Sequence, residues 1–153
     1  MTRSGYVDDL DPWDIIRWRG AVVSALRGAR GRALLQALLT SLDALPEKRL
    51  IAHDLITPDG CCALGALAQR CGIDVADLDP EDSECVAARF GIAESLVREI
   101  VWVNDEEAGW PESPEGRPES PEGRFARVRK WVCEQLNYRD EKEGIVDASD
   151  PDQ

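Results

Sequence analysis

The side chains able to supply a nucleophile, a general base or a soft metal ligand are few: Cys61, Cys62, Cys71, Cys85, Cys133 and one histidine, His53. No two cysteines stand in a Cys-x-x-Cys pair, and a four-ligand zinc set drawn from these six would have spacings unlike any common zinc module. The odd cysteine count, and the apolar helical surroundings of four of the five, predict packed thiols and no disulfide framework. Cys61 and Cys62 open an apolar stretch, where a helix dipole lowers a thiol pKa, but burial works in the opposite direction. Neither a nucleophile elbow, a zinc-binding helix nor a dinucleotide glycine signature occurs. The sequence therefore predicts a non-enzymatic protein with no catalytic residue, no metal and no cofactor.

Carboxylates are abundant and clustered. Asp77, Asp79, Glu81, Asp82 and Glu84 form one group, and Asp105, Glu106 and Glu107 form another. The first lacks the central glycine of a calcium loop and contains Pro80, so a solvated acidic face is expected rather than a cation site. Such a face can imitate the charge of nucleic acid and capture a basic protein. The opposite chemistry is gathered in Arg27, Arg30 and Arg32, interleaved with Gly28 and Gly31. No Gly-Lys-Ser/Thr follows, which excludes a P-loop. The arginines either contact an anion or nucleic acid, or pair with the chain's own acidic middle.

The balance of charge sets limits on the partners. The 153 residues carry a net charge of −12, and residues 56 to 123 hold 16 of the 30 acidic residues with only four of the 18 basic ones. This disfavours non-specific nucleic-acid binding and anionic membranes, and suits a basic partner. No apolar run reaches the roughly 20 residues of a membrane span, and the start lacks the apolar core of a signal peptide, so a cytoplasmic protein is expected.

The elements that would position these groups read as helices. Asp11-Pro12 is an N-cap with proline at the first helical position, and Ile15, Trp18, Val22 and Leu26 share one face behind it. Leu35, Leu38, Leu42 and Leu45 form the next stripe, ending before Pro46. Residues 47 to 58 are ambiguous, and Pro58-Asp59-Gly60 is a turn. Cys61 to Cys71 is an apolar helix. Pro80 is placed to open another, Ala93 to Trp102 forms the one after it, and Asn104 to Glu107 breaks the chain in an acidic loop. One pattern occurs twice, nineteen residues apart: Ala68-Gln69-Arg70-Cys71-Gly72-Ile73 and Ala87-Ala88-Arg89-Phe90-Gly91-Ile92, each reading as a helix-turn-helix unit. A tandem heptapeptide, Pro111 to Arg117 and Pro118 to Arg124, makes a loop, and Ser120-Pro121 caps a last helix carrying Phe125, Val128, Trp131, Val132 and Leu136.

These readings combine into an all-α fold: a single small helical domain of five to seven helices over residues 11–138, with two helix-turn-helix-like units. A flexible N-terminus covers 1–10, an exposed acidic Pro/Gly loop covers 106–120, and a disordered tail covers 139–153. Leu64, Leu67, Val97, Ile100 and Trp131 are the expected core.

Several segments together resemble a group of small uncharacterised bacteriophage and prophage proteins. They are Arg27-Gly28-Ala29-Arg30-Gly31, Leu42 to Ile51, Cys62-Ala63-Leu64-Gly65-Ala66-Leu67, Leu78-Asp79-Pro80-Glu81-Asp82, Phe90-Gly91-Ile92-Ala93, Glu99-Ile100, Asn104-Asp105-Glu106 and Trp131-Val132. The resemblance implies a phage-related gene and a small helical domain, and carries no established activity with it. The doubled heptapeptide departs from the pattern, which has one acidic proline turn before the final helix.

Two functions from different classes are compatible with these residues. In the first, an accessory protein binds a host or phage protein, basic in character, through the acidic face. In the second, Ala87, Gly91 and Val97 form the corner of a DNA-binding helix-turn-helix, whose recognition helix presents Glu94, Ser95, Arg98 and Glu99 with help from Arg27, Arg30 and Arg32. Two glutamates against one arginine on that helix forfeit counterion release, and the first function is expected.

Overall fold

The computed structural model describes residues 3–5, 11–105 and 118–146, with side chains as far as residue 137. Among the described residues the chain forms six helices and one two-stranded ribbon, which makes it the small, mainly helical domain expected. Helix α1 (Pro12–Arg27) starts as anticipated: the Asp11 carboxylate accepts from the Trp13 N–H at 2.8 Å and Pro12 takes the first position. Helix α2 (Ala29–Asp43) comes after a single extended residue, Gly28. The corner is tight enough that a Cβ on Gly31 would lie 2.0 Å from the Ala25 carbonyl oxygen. The arginine-glycine motif is thus first of all a close helix-helix corner. Helix α2 buries Leu34, Leu35, Leu38 and Leu42.

The ambiguous stretch resolves into a short antiparallel ribbon, β1 (Ile56–Thr57) with β2 (Gly60–Cys61), pairing Ile56 with Cys61 and Thr57 with Gly60 around the Pro58-Asp59 turn. Because Cys61 is in the strand, helix α3 (Ala63–Cys71) begins two residues later than expected, with the Cys62 sulfur accepting from the Gly65 N–H.

The repeated hexapeptide encodes a shared helix stop. Helix α3 ends on Gly72 (φ 68°) and helix α4 (Ser83–Phe90) on Gly91 (φ 67°), both left-handed. Ile73 N–H donates to Ala68 O at 2.9 Å and Ile92 N–H to Ala87 O at 3.1 Å. This is the bond that closes a Schellman cap, written twice. The expectation of two helix-turn-helix units is half wrong: no helix forms between Gly72 and α4, because Asp74 and Asp79 turn their carboxylates onto the N–H groups of Ala76 and Glu81 and hold the segment in turns. Pro80 does not open α4 either. It lies inside the Asp79 to Asp82 turn, and Asp82 caps the helix by accepting from Cys85 N–H at 3.0 Å.

Helix α5 (Glu94–Asp105) is the central element, packed against α1, α3, α4 and α6. Helix α6 (Pro121–Val146) opens on Ser120, whose hydroxyl accepts from Gly123 N–H at 3.0 Å, and runs on past Tyr138, the expected limit of the domain. Phe125, Val128 and Val132 of α6 meet α2 and α5. Leu64, Leu67, Val97 and Ile100 are buried as expected, whereas Trp131 is only half-buried at the edge of the core. Residues 106–117, which include the first heptapeptide, and the tail from 147 lie outside the described residues.

Candidate functional site

The first carboxylate cluster lies on the surface. Asp74, Asp77, Asp79, Glu81, Asp82 and Glu84 are all exposed on the turns leading into α4 and on its first turn. Asp77 is clamped by the Arg89 guanidinium in two bonds of 2.8 and 2.9 Å, and that hydrogen-bonded partner pulls its carboxyl down to about 2. Asp82 is lowered as well, by the backbone N–H of Cys85 that it caps. Among the described residues, Asp79, Glu81, Asp82 and Glu84 have no cationic side-chain partner. Asp77, Asp79 and Asp82, with Leu78, Cys85, Ala88 and Arg89, line an open cleft of about 610 Å³. The local reason for this display is that Asx turns and an N-cap need carboxylates on the outside of the backbone they satisfy, so negative charge and turn geometry come together.

The second cluster does not belong to that face. Asn104 and Asp105 do not break α5; they form its last turn, with Asn104 buried and the Asp105 side chain enclosed. The Asp105 carboxylate meets Arg3, with Nε at 3.0 Å and Nη2 at 3.2 Å, and both side chains are almost fully enclosed. Arg3 and Ser4 are buried as well. The Asn104 side chain accepts from Ala63 N–H at 3.1 Å at the start of α3 and donates to Ile51 O at 2.9 Å and to Asp105 at 2.7 Å. Two arginines of α6 cover the exposed end of α5: Arg124 donates to Asn104 O and Leu50 O, and Arg127 to Val103 O and Asn104 O. Glu119, from the second heptapeptide, holds Arg127 in turn at 2.9 and 3.0 Å. Sequence reasoning missed this junction; the paired Arg124 and Arg127 opposite a helix-terminal Asn-Asp were its only visible sign. Glu106 and Glu107 lie outside the described residues.

His53 stands beside the junction with a left-handed φ of 69°, its ring largely in solvent and Nδ1 3.8 Å from the Asp105 carboxylate. Asp105 is already committed to Arg3 and Asn104, so the pair does not assemble a base held by an orienting acid. The Cys61 thiol is pushed up to about 11 by burial and by its neighbour Cys62. Contrary to the expectation of packed thiols, Cys71 and Cys85 are exposed, and the Asp82 carboxylate raises Cys85. A raised thiol is a poorer nucleophile at neutral pH. Among the described residues no group of three or more His, Cys, Asp or Glu side chains is arranged to hold a metal ion, and no helix is long and apolar enough to cross a membrane.

The α4–α5 corner has the expected spacing, with Ala87 and Val97 buried. Gly91 serves the left-handed turn and not a close crossing, since a Cβ there would meet nothing within 4 Å. Of the residues assigned to a recognition face, Glu94 and Arg98 pair with each other at 3.0 Å, Ser83 bridges both, Ser95 is half-buried, and Glu99 is buried against Arg19. No residue of α5 is fully exposed, and Glu94, Ser95, Arg98 and Trp102 make up its half-buried outer side. Arg27 and Arg30 are exposed at the α1–α2 corner and Arg32 is half-buried. Arg30 and the turn at Gly91 line opposite sides of a second cleft of about 550 Å³. Comparison of the chain with known protein families, with characterised proteins and with solved structures returns no match.

Proposed function

We propose that the protein is a non-enzymatic, phage-related accessory protein of the bacterial cytoplasm that works by binding a basic host or phage protein through the acidic surface of residues 74 to 84. The observation that carries this reading is the set of exposed carboxylates on Asp79, Glu81, Asp82 and Glu84, which among the described residues are not neutralised by any cationic side chain. Exposed charge of one sign costs little stability and steers a partner of the opposite sign. The alternative, a helix-turn-helix DNA regulator, has the α4–α5 corner and the exposed Arg27 and Arg30 in its favour. A recognition helix must enter the major groove, however, and α5 lies between other helices.

The test is capture from bacterial lysate with and without nuclease, using the natural chain and the double variant Glu81→Lys, Glu84→Lys. Asp79 and Asp82 shape the turns, so that reversing them would confuse binding with folding, whereas Glu81 and Glu84 carry charge alone. The expected outcome is a defined basic partner recovered in both arms and lost on charge reversal, with an unchanged helical spectrum. Recovery that depends on nucleic acid would transfer the function to the corner and its arginines.

A further inference from the structure

The acidic surface continues into an apolar groove. The Leu78 side chain lies between two clefts and lines both. One is the acidic cleft formed with Asp77, Asp79 and Asp82. The other is a groove of about 410 Å³ between strand β1, the end of α3 and the turns that follow it. There Val75 is buried, Ile73 and Leu78 are half-buried, and Ile56 is 38% exposed. Of the five large apolar side chains exposed among the described residues, Ile56 is the one that does not belong to α1. The charged side chains lining the groove are Asp54 and Asp74, and no cationic side chain lines it. Each carboxylate spends one oxygen on a nearby backbone N–H, that of Leu55 at 2.8 Å and that of Ala76 at 3.0 Å. Arg89, the cation whose field reaches Asp74, is itself held by both oxygens of Asp77 and by the Asp74 carbonyl.

Exposed charge steers a partner and sets its sign, but contributes little affinity in water. Affinity comes from a side chain desolvated in an apolar pocket with polar groups around it. We propose that this groove receives one aliphatic side chain, of leucine or isoleucine size, from a basic segment of the partner protein. The lysines or arginines on either side of that anchor lie over Asp54 and Asp74, and the segment continues past Leu78 towards Asp79 and Glu81. The inference rests on the reading of residues 74 to 84 as the surface for a basic protein and specifies what that protein presents: an apolar anchor flanked by cations. A purely apolar segment would leave the two carboxylates without counter-charge as water is displaced around them. A purely cationic one would leave Ile56 and Leu78 in water.

Two synthetic peptides test this on the full chain: lysines and arginines around one central leucine, and a twin with serine in place of the leucine. The leucine peptide is expected to shift the NMR amide signals of Ile56, Ile73 and Leu78. It should bind about tenfold more tightly than the serine twin, as one aliphatic side chain leaving water requires. Ile56→Glu should remove that difference and leave the helical spectrum in place, since the side chain is exposed. The two peptides on the natural chain decide the matter even where the variant fails to fold. Equal binding of both peptides, with shifts confined to residues 77 to 84, overturns the groove and leaves the acidic surface standing. Binding by neither peptide overturns the basic partner and the groove with it. Groove signals that move with protein concentration alone place a second copy of the chain there and also overturn the proposal.

Discussion

At the scale of single residues, carboxylates of similar sequence context take opposite roles according to the backbone beneath them. Asp82 and Asp79 satisfy turn N–H groups from the solvent side and stay exposed, whereas Asp105 sits on a helix end that is covered by Arg3, Arg124 and Arg127. The buried pair is only partly satisfied: Arg3 Nη2 and the Asn104 amide both donate to Oδ1 of Asp105, whereas Oδ2 and Arg3 Nη1 have no hydrogen-bond partner among the described residues, and Asn104 also bridges α3 and residue 51. The Asp77–Arg89 clamp gives a pH dependence of known sign. Its carboxyl is lowered in the folded chain to about 2 from 3.8, so its stabilising contribution is complete above the ordinary carboxylate range and disappears as pH falls through about 2. A carbon-detected NMR titration is expected to place the Asp77 midpoint near 2, and Arg89→Gln should return it to the ordinary range. A midpoint unchanged by that substitution would mean that the turn alone depresses it.

At the scale of elements, the duplicated hexapeptide shows one local device used in two surroundings. Alanine, three further residues, glycine and isoleucine close a Schellman cap in both α3 and α4, but the chain beyond the two caps differs because Asp74 and Asp79 divert the first copy into turns. Since a Cβ has open space at both Gly72 and Gly91, the cost of Gly72→Ala and of Gly91→Ala is the cost of the left-handed backbone alone, about 1 to 2 kcal/mol each. Chemical denaturation should give the two variants equal losses to within about 0.5 kcal/mol. A much larger loss at Gly91 would show that the α4–α5 crossing depends on the absent side chain, as a DNA-binding corner requires.

At the scale of the whole molecule, charge is distributed so that acidic turns lie before α4 and exposed arginines lie at the α1–α2 corner. Exposed ion pairs between helices, such as Arg129 with Asp43 at 2.7 and 3.1 Å, each contribute little. Repulsion among 30 acidic residues against 18 basic ones therefore outweighs them. Raising salt from about 10 mM to about 150 mM should increase Tm by a few degrees, because screening acts most strongly on dispersed like charges. A fall in Tm over that range would mean that the arginine junction at the end of α5 carries more of the fold than the surface repulsion opposes.

Helix type, approximate helix positions and the two helix stops were decided by the sequence alone, since each depends on residues within a few positions of one another: Asp11 and Pro12 for α1, the leucine stripe for α2, Gly72 and Gly91 for the caps, and Ser120 with Pro121 for α6. The acidic surface was legible in the same way at Asp77, Asp79, Glu81, Asp82 and Glu84, where the Asp79 and Asp82 carboxylates serve their own turn and cap. The long-range contacts were decided only by the tertiary structure. That the Asp105 side chain is buried depends on Arg3, 102 positions away, and the covering of the end of α5 depends on Arg124 and Arg127, 20 and 23 positions from Asn104. The central place of α5 depends on helices packing against it from several sides, and local periodicity cannot report how many sides of a helix are covered.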